Sequence, residues 1–438
     1  MNRNFSLKLV SRLMGGVFCY GFGKSVIFLL MAIGFLGSCS EGESRYVKGN
    51  VHTHTYWSDG DDFPERVARW YKDHGYDFLV MTDHNMILEG EKWRSFPEGH
   101  EVLAKYREEF GDEWVIMRPD TAKEGNVLVR LKTLDEFRNL YERQDSFLLV
   151  MGNEISNPHA VHLVTINKDR VVPYTKGTAD EREFMISETV RLMADYRKET
   201  GINSFPVLAH PNFTWALTAE MILNNPDIRF FEVYNGHPLV NNEGDGSRAG
   251  TERMWDIILA HRTASDGLLL YGLATDDAHN YHGGGAGPGK GWIMVRSDEL
   301  TTDGILQGLD SGDFYASTGV VLKGISFDGK KLSIRIDGDP GTEYSTEFIG
   351  TRKGFDPSST AALDSAGLEI PNTTRVYSNE IGAILAADAS LNPSYTFTGD
   401  ELYVRVRITS SKDHLDPNSG KVLGKQKAWV QPHIAAKR

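Results

Sequence analysis

The chain has 438 residues, 40% of them hydrophobic and 24% charged, a balance that excludes a disordered or fibrous protein and allows two globular domains. Its formal net charge of −13 opposes capture of long polyanions, because affinity for nucleic acid rests largely on Lys and Arg replacing phosphate counterions. No nucleic-acid partner is expected.

The first predicted element is a targeting segment. Arg3, Lys8, Arg12 and Lys24 precede VIFLLMAIGFLG, an apolar run of 12 residues. This is well short of the roughly 18 needed to read a membrane span, so residues 1–38 are expected to be a cleaved signal peptide. Leu36-Gly37-Ser38-Cys39 resembles a bacterial lipobox, and the polar tether SEGES follows. Cys19, the other cysteine, lies inside the signal, so Cys39 is expected to carry a lipid rather than a disulfide. That resemblance implies a lipoprotein of the bacterial cell envelope, held in the membrane by Cys39 and facing the periplasm or the exterior. Cleavage removes four basic residues and no acidic one, taking the formal charge from −13 to −17.

From residue 46 to about 320, β-rich apolar runs alternate with helical patterns, which predicts an α/β architecture with a barrel-like rhythm. The predicted strands are YVKGNVHTH, YDFLVMTDH, FLLVMGNE, VHLVTIN, FPVLAHP, RFFEVYN, LLLYGLATDDAH and GWIMVR. Between them, FPERVARWYKDHG, REFMISETVRLMADYRKETG and GTERMWDIILAHR carry apolar residues at helical spacing. Residues 86–146 hold two further predicted helices, WRSFPEGHEVLAKYREEFGDEW and LKTLDEFRNLYERQ, in a connection long enough to cap a site. Past Val321 the pattern turns to short alternating strands with Asp-Gly and Gly-Lys turns, predicting a small all-β sandwich over 321–438.

The chemistry concentrates at the ends of the predicted strands. Period-two geometry puts His52 and His54 of VHTHTYWSDG on one face, able to reach a common centre. The same spacing recurs at Asp277 and His279 in ATDDAH. Further strand ends deliver His84 (MTDHN), Glu154 (GNEIS), His162 (HAVHLV) and His210 (LAHP), with Asp59 close behind His54. Imidazoles and carboxylates converging from several strands form a site for divalent metal, and nine donors suggest more than one ion. His159 competes with His162 for one position; His162 is preferred because it opens the apolar run HLVTI.

The ordered motifs HxH, TDH, GNE, H, AHP and DAH, with Asp59 behind the first, resemble the polymerase and histidinol phosphatase (PHP) superfamily over residues 46 to about 320. GKGWIMVRSDELTTDGILQGLDSGDFYASTG resembles the tail of its carbaryl-hydrolase-like branch. The resemblance implies a distorted (β/α)7 barrel and two or three divalent ions; the mixed imidazole and carboxylate donors suit zinc, manganese or iron better than magnesium. It assigns His52, His54, Glu154 and Asp277 to one ion, with Glu154 bridging to a second held by His162 and His210. Asp59, His84 and His279 go to a third, and Glu154, Asp277 and His210 are the implied catalytic residues. Metal ions sharing a water lower its pKa and stabilise a leaving oxygen. The implied activity is hydrolysis of a small anionic substrate, a phosphate ester first and a carbamate, amide or carboxylic ester second; a non-catalytic surface or glycan-binding lipoprotein is the third reading.

Other residues carry weaker signals. Asp83 and Asp276 could orient ligand imidazoles or cap local turns. HGGGAGPGKG, residues 282–291, could cradle a phosphate or form a flexible flanking loop. Asn212, Glu232 and Asn235 lie at predicted strand ends and could touch substrate, and a phosphate pocket would draw on Arg118, Lys123, Arg130, Lys176, Arg182, Arg248 or Lys290. His74, His237, His261, His282, His414 and His433 are expected on the surface, behind the site or in the C-terminal region.

Overall fold

Seven strands form the frame of the α/β region: β1 (Tyr46–Asn50), β2 (Phe78–Met81), β3 (Leu148–Asn157), β4 (Val161–Ile166), β5 (Phe205–Leu208), β6 (Phe230–Asn235) and β7 (Tyr271–Thr275). They belong to a computed structural model that describes residues 45–435, so the expected signal peptide, Cys39 and tether lie outside the described residues. β1, β2 and β3 pair in parallel, β4 runs antiparallel to both β3 and β5, and β5, β6 and β7 are again parallel. Helices Pro64–Asp73, Arg182–Thr200 and Thr251–Ala264 connect β1 to β2, β4 to β5 and β6 to β7. Strands such as FLVM and FPVL are buried at every residue, because a sheet covered on both faces needs continuous apolar runs rather than alternation.

Past their regular ends β1 and β7 meet. Thr53 bridges Ala278 in parallel, the His54 N–H donates to the Ala278 carbonyl at 2.9 Å, and the Asp277 N–H donates to the His52 carbonyl at 3.1 Å. The first and seventh strands are thus hydrogen-bonded where the two ligand-rich motifs stand.

On the other side of β1 the sheet continues through β8 (Trp292–Arg296) and β9 (Phe314–Ser317), then into the C-terminal strands. These are β10 (Tyr344–Arg352), β11 (Ala383–Asp388), β12 (Glu401–Leu415) and β13 (Val422–His433), in the order β9-β13-β12-β10-β11. A second sheet of Leu322–Phe327, Lys331–Ile336 and Ser394–Thr396 packs on it. Leu332, Ile334, Ile336 and Tyr395 share one core with Tyr315, Phe348, Val404, Val406, Ile408 and Val430. This all-β region contains no helix among the described residues. All described residues belong to one compact unit.

Within 86–146 the stretch read as a single helix from Trp93 divides. Trp93–Pro97 is an edge strand paired with Asn126–Arg130, and the helix begins only at Glu101. Pro97 lacks an N–H and Gly99 adopts positive φ, which ends the strand and delays the helix. Leu103, Tyr106 and Phe137 of this segment share a core with Val67 and Tyr71 of helix Pro64–Asp73. The Trp57 indole donates to the Lys132 carbonyl at 2.9 Å, and Arg94 donates to the carbonyls of Tyr56 and Ser58, so the segment is fastened to the turn that carries Asp59.

Candidate metal centre

His52, His54, His84, His210, Asp277 and His279 follow the C-terminal ends of β1, β2, β5 and β7, Glu154 and His162 lie within the paired strands β3 and β4, and Asp59 stands in the turn after β1. Several ends are pinned by residues in the left-handed region: Asn85 beside His84 (φ 53°), His210 (φ 26°) and Asp277 (φ 51°). Non-glycine residues hold such angles at a cost of about 1–3 kcal/mol each and concentrate where a side chain must be aimed.

Glu154, fully buried, is the hub. Its Oε1 lies 3.3 Å from His52 Nε2, 3.0 Å from His162 Nδ1 and 3.3 Å from His210 Nε2. Its Oε2 lies 2.5 Å from His84 Nδ1 and 3.7 Å from His54 Nε2. Asp277 forms a second focus, with Oδ1 at 3.2 Å from His52 Nε2 and 3.1 Å from His54 Nε2, and Oδ2 at 4.0 Å from His210 Nε2. Asp59 forms the third: Oδ1 stands 3.9 Å from His54 Nδ1, 3.5 Å from His84 Nε2 and 3.4 Å from His279 Nε2. All nine candidate donors therefore come together.

The donors fall into four overlapping sets, each with ligand atoms within 4.8 Å of one another: His54, Asp59, His84 and His279; His52, Glu154 and His210; His52, His54 and Asp277; His84, Glu154 and His162. The geometry adds His54 to the Asp59 set and puts His84 beside Glu154 and His162, two neighbourhoods that motif order alone does not give.

A shell of buried polar groups sets the imidazoles. His52 Nδ1 donates to Glu232 Oε1 at 2.7 Å, which aims Nε2 at Glu154 and Asp277. Glu232 also accepts from the Thr275 hydroxyl, the His210 N–H and Asn235 Nδ2, and Asn235 Nδ2 lies 3.2 Å from Asp277 Oδ2. Glu232 and Asn235, read from sequence as substrate contacts, are buried and instead hold ligands in place. Asn212 is likewise buried and donates to the carbonyls of Asn241 and Ala249. The sequence signal that marks Glu232 is a carboxylate set among Phe230, Phe231 and Val233 in the strand FFEVYN.

Asp83 and Asp276 touch no ligand imidazole directly. Asp83 accepts from the Thr55 N–H, the Thr55 hydroxyl and the Ser58 hydroxyl, and so shapes the turn before Asp59. Asp276 accepts the N–H groups of Gly289, Lys290 and Gly291 at 2.6–2.8 Å. The glycine-rich loop is therefore neither a substrate phosphate cradle nor free: its anion is the protein's own carboxylate, and the Lys290 ammonium is buried.

The remaining histidines separate cleanly. His159 is exposed, in a hairpin turn at φ 60°, whereas His162 reaches Glu154. His74 follows helix Pro64–Asp73, bonded to the Trp70 carbonyl. His282 pairs with Asp62 at 3.2 Å, His261 packs on Phe355 and Tyr377, His414 on Tyr234 and His433 on Phe327. His237 is the exception, its ring 5.6 Å from that of His279 and 5.3 Å from Phe213. Burial holds it down to about 4.

The electrostatic field of the centre favours cations. Burial opposes the charged form everywhere, yet the His84, His162 and His52 imidazoles hold the Glu154 carboxyl well below the usual range, and His52 and His54 do the same for Asp277. Against burial, Glu154 and Asp59 push His84 up to about 11. His54, by contrast, is driven down to about 3 by burial and by neighbouring His279 and His84, leaving a neutral imidazole with one nitrogen lone pair to offer.

The donor set fits divalent metal. Two ligands at about 2.1 Å from one ion at the tetrahedral angle stand about 3.4 Å apart, close to the 3.0–3.7 Å that separate Glu154 and Asp277 from His52, His54 and His162. Buried His52 Nε2 stands 3.3 Å from Glu154 and 3.2 Å from Asp277 yet makes no aligned hydrogen bond with either, the placement expected of ligand atoms that share a cation rather than a proton.

No family model matches the chain, and no curated protein matches it. Among solved structures, a two-domain Bacteroides vulgatus protein containing a predicted PHP-like metal-dependent phosphoesterase aligns with TM-score 0.38 at 15% identity, over 88% of this chain and 95% of that one. A Bifidobacterium adolescentis protein provisionally described as a metal-dependent phosphoesterase aligns with TM-score 0.27 at 15% identity, over 61% of this chain and 96% of that one. Alignments of this depth do not establish a common fold, so function is read from the side chains of this chain.

Proposed function

We propose that the protein is a metal-dependent hydrolase, a phosphoesterase acting on a small extracytoplasmic phosphate ester. The observation that carries this reading is the convergence of six imidazoles on the three carboxylates Glu154, Asp277 and Asp59, a mixed nitrogen and oxygen set suited to zinc, manganese or iron. His52, His54, Glu154 and Asp277 would hold one ion, Glu154 with His162 and His210 a second, and Asp59, His84 and His279 a third. Such ions supply activated water and charge neutralisation of a leaving oxygen. The chain supplies the rest: Glu232 fixes His52, Asn235 steadies Asp277, and Asp59, with its side chain 58% exposed, marks the face open to substrate. The hydrogen bonds joining the extensions of β1 and β7 support reading β1 to β7 as the distorted (β/α)7 barrel that the motifs resemble.

One observation favours the carbamate, amide or carboxylic ester alternative. Arg130 is paired with Glu136 and Arg248 with Asp245, Arg182 serves the Ala179 and His159 carbonyls, Arg118 covers Trp93, and Lys290 is buried. The rim near His210 is instead aromatic, with Phe213 against both His210 and His237. With five of the seven cations read from sequence engaged elsewhere or buried, and Lys123 and Lys176 exposed, a substrate's anionic charge would fall mainly on the ions and imidazoles. Turnover of p-nitrophenyl phosphate, bis-p-nitrophenyl phosphate and p-nitrophenyl carboxylic esters, with and without added metal, separates the readings. Phosphate ester hydrolysis that chelator abolishes and metal restores is expected; turnover of carboxylic esters alone would move the assignment to the alternative.

Glu232→Gln is expected to weaken metal binding about 10- to 100-fold while the protein stays folded, the usual scale for a group that orients a ligand; titration with zinc checks it, and unchanged affinity would remove Glu232 from the centre.

We further propose anchoring in the bacterial envelope through a lipid on Cys39. No helix among the described residues is long and apolar enough to cross a membrane, and because the SEGES tether is acidic rather than polybasic, stable attachment would need more than one acyl chain at Cys39. Cys39→Ser should abolish radiolabelled fatty-acid incorporation and release the protein from membranes; a serine variant that still partitions into detergent contradicts the anchor.

A further inference from the structure

β12 and β13 outrun the sheet that holds them. β10 accompanies β12 only to Ser410, whereas β12 and β13 remain paired through Asp413 with Lys425, His414 with Gly424 and Leu415 with Val422. The last turn of this hairpin, about five residues or roughly 17 Å of extended chain, is a two-stranded ribbon, which has little stability of its own unless docked. It docks on the glycine-rich loop that follows His279. Asn418 Nδ2 donates to the Asn280 carbonyl at 3.2 Å. The approach is so close that a Cβ on Gly287 would lie 2.0 Å from Asn418 Nδ2, and one on Gly289 would lie 3.0 Å from Pro417.

The buried contact beneath is an ion pair. Lys290 Nζ stands 3.3 Å from Asp416 Oδ2, with both side chains at most 6% exposed. The same ammonium donates to the Gly236 carbonyl at 3.1 Å and to the Gly285 carbonyl. Its three N–H groups are thereby matched to three acceptors. One of these, Gly236, lies between Asn235, which contacts Asp277, and His237; another, Gly285, belongs to the loop after His279. The backbone N–H of Lys290 meets Asp276, the neighbour of Asp277. Lys290 thus ties the segment after β6, whose Asn235 contacts Asp277, and the loop after His279 to a residue contributed by the far end of the chain.

We propose that the 414–421 hairpin tip is a positioning element of the metal centre and that Asp416, acting through Lys290, sets the alignment of Asp277 and His279. The inference rests on the metal-hydrolase reading above. It gives the all-β region a role as a clamp on the centre, and explains why β12 and β13 overshoot their neighbours.

The test is titration of the purified full-length protein with Co2+, followed by visible absorption, which reports ligand geometry, alongside thermal unfolding. Asp416→Asn keeps the shape and removes the charge; it should weaken binding of at least one Co2+ equivalent about tenfold or more and shift the visible bands. Asn418→Ala, a surface change that will not prevent folding, should shift the same bands to a smaller degree and decides the matter if Asp416→Asn is unstable. Arg407→Met breaks pairs with Glu347 on the same sheet and with Glu252 in the first turn of helix Thr251–Ala264; it should lower the thermal transition while leaving the Co2+ titration as in the wild type. Wild-type Co2+ titrations and spectra in both Asp416→Asn and Asn418→Ala would overturn the proposal. A wild-type protein that binds no Co2+ would instead overturn the metal-centre reading itself, and this inference with it.

Discussion

Glu154→Gln is expected to lower turnover of the best phosphate ester by roughly three orders of magnitude, about 4 kcal/mol of transition-state stabilisation at 1.36 kcal/mol per tenfold. The side chain is fully buried and touches five imidazoles through two oxygens. Glutamine fits the same volume but offers one weaker acceptor and an amide that would face His84 or His162 as a donor. The loss should therefore fall on the negative charge that offsets repulsion between neighbouring cations. Folding should change little, because the core of the frame is built from β1 to β7 and their helices and the centre sits at their ends. Steady-state kinetics with circular dichroism checks both halves; retention of wild-type turnover would remove the hub role of Glu154.

The second large effect separates two histidines three residues apart. His162→Ala should cost about 100-fold or more in activity and release metal, since His162 Nδ1 lies 3.0 Å from Glu154. His159→Ala should stay within about threefold of wild type, because its side chain is exposed in the hairpin turn between β3 and β4. A ligand removed outright costs more than a group that merely orients one. Equal losses in the two variants would leave that ligand position unassigned.

Much of the frame is legible because its signals are local. Period-two alternation puts His52 and His54 on one face, buried strands read as unbroken apolar runs, and Pro64 and Gly75 bracket a helix within a residue or two. What is not legible depends on partners distant in the chain. Glu232 looks like a rim carboxylate until His52, 180 residues away, donates to it. The glycine-rich loop has the composition of an anion cradle, and it is one, but Asp276 supplies the anion from 13 to 15 residues upstream. Likewise, nothing in the alternation of ELYVRVRITSSKDHL tells that the strand outruns its sheet so that Asp416, just past its end, meets Lys290. The grouping of donors is a property of space rather than order: His54 stands with both Asp277 and Asp59 because its two ring nitrogens face opposite sides of the centre.

The central claim is that these nine side chains hold metal. Elemental analysis of mildly purified, chelator-free protein tests it most directly. Two or three equivalents of zinc, manganese or iron per chain are predicted, with stepwise loss of metal in His52→Ala and Glu154→Gln. Less than one equivalent per chain, with no uptake when these ions are added back, would contradict the account.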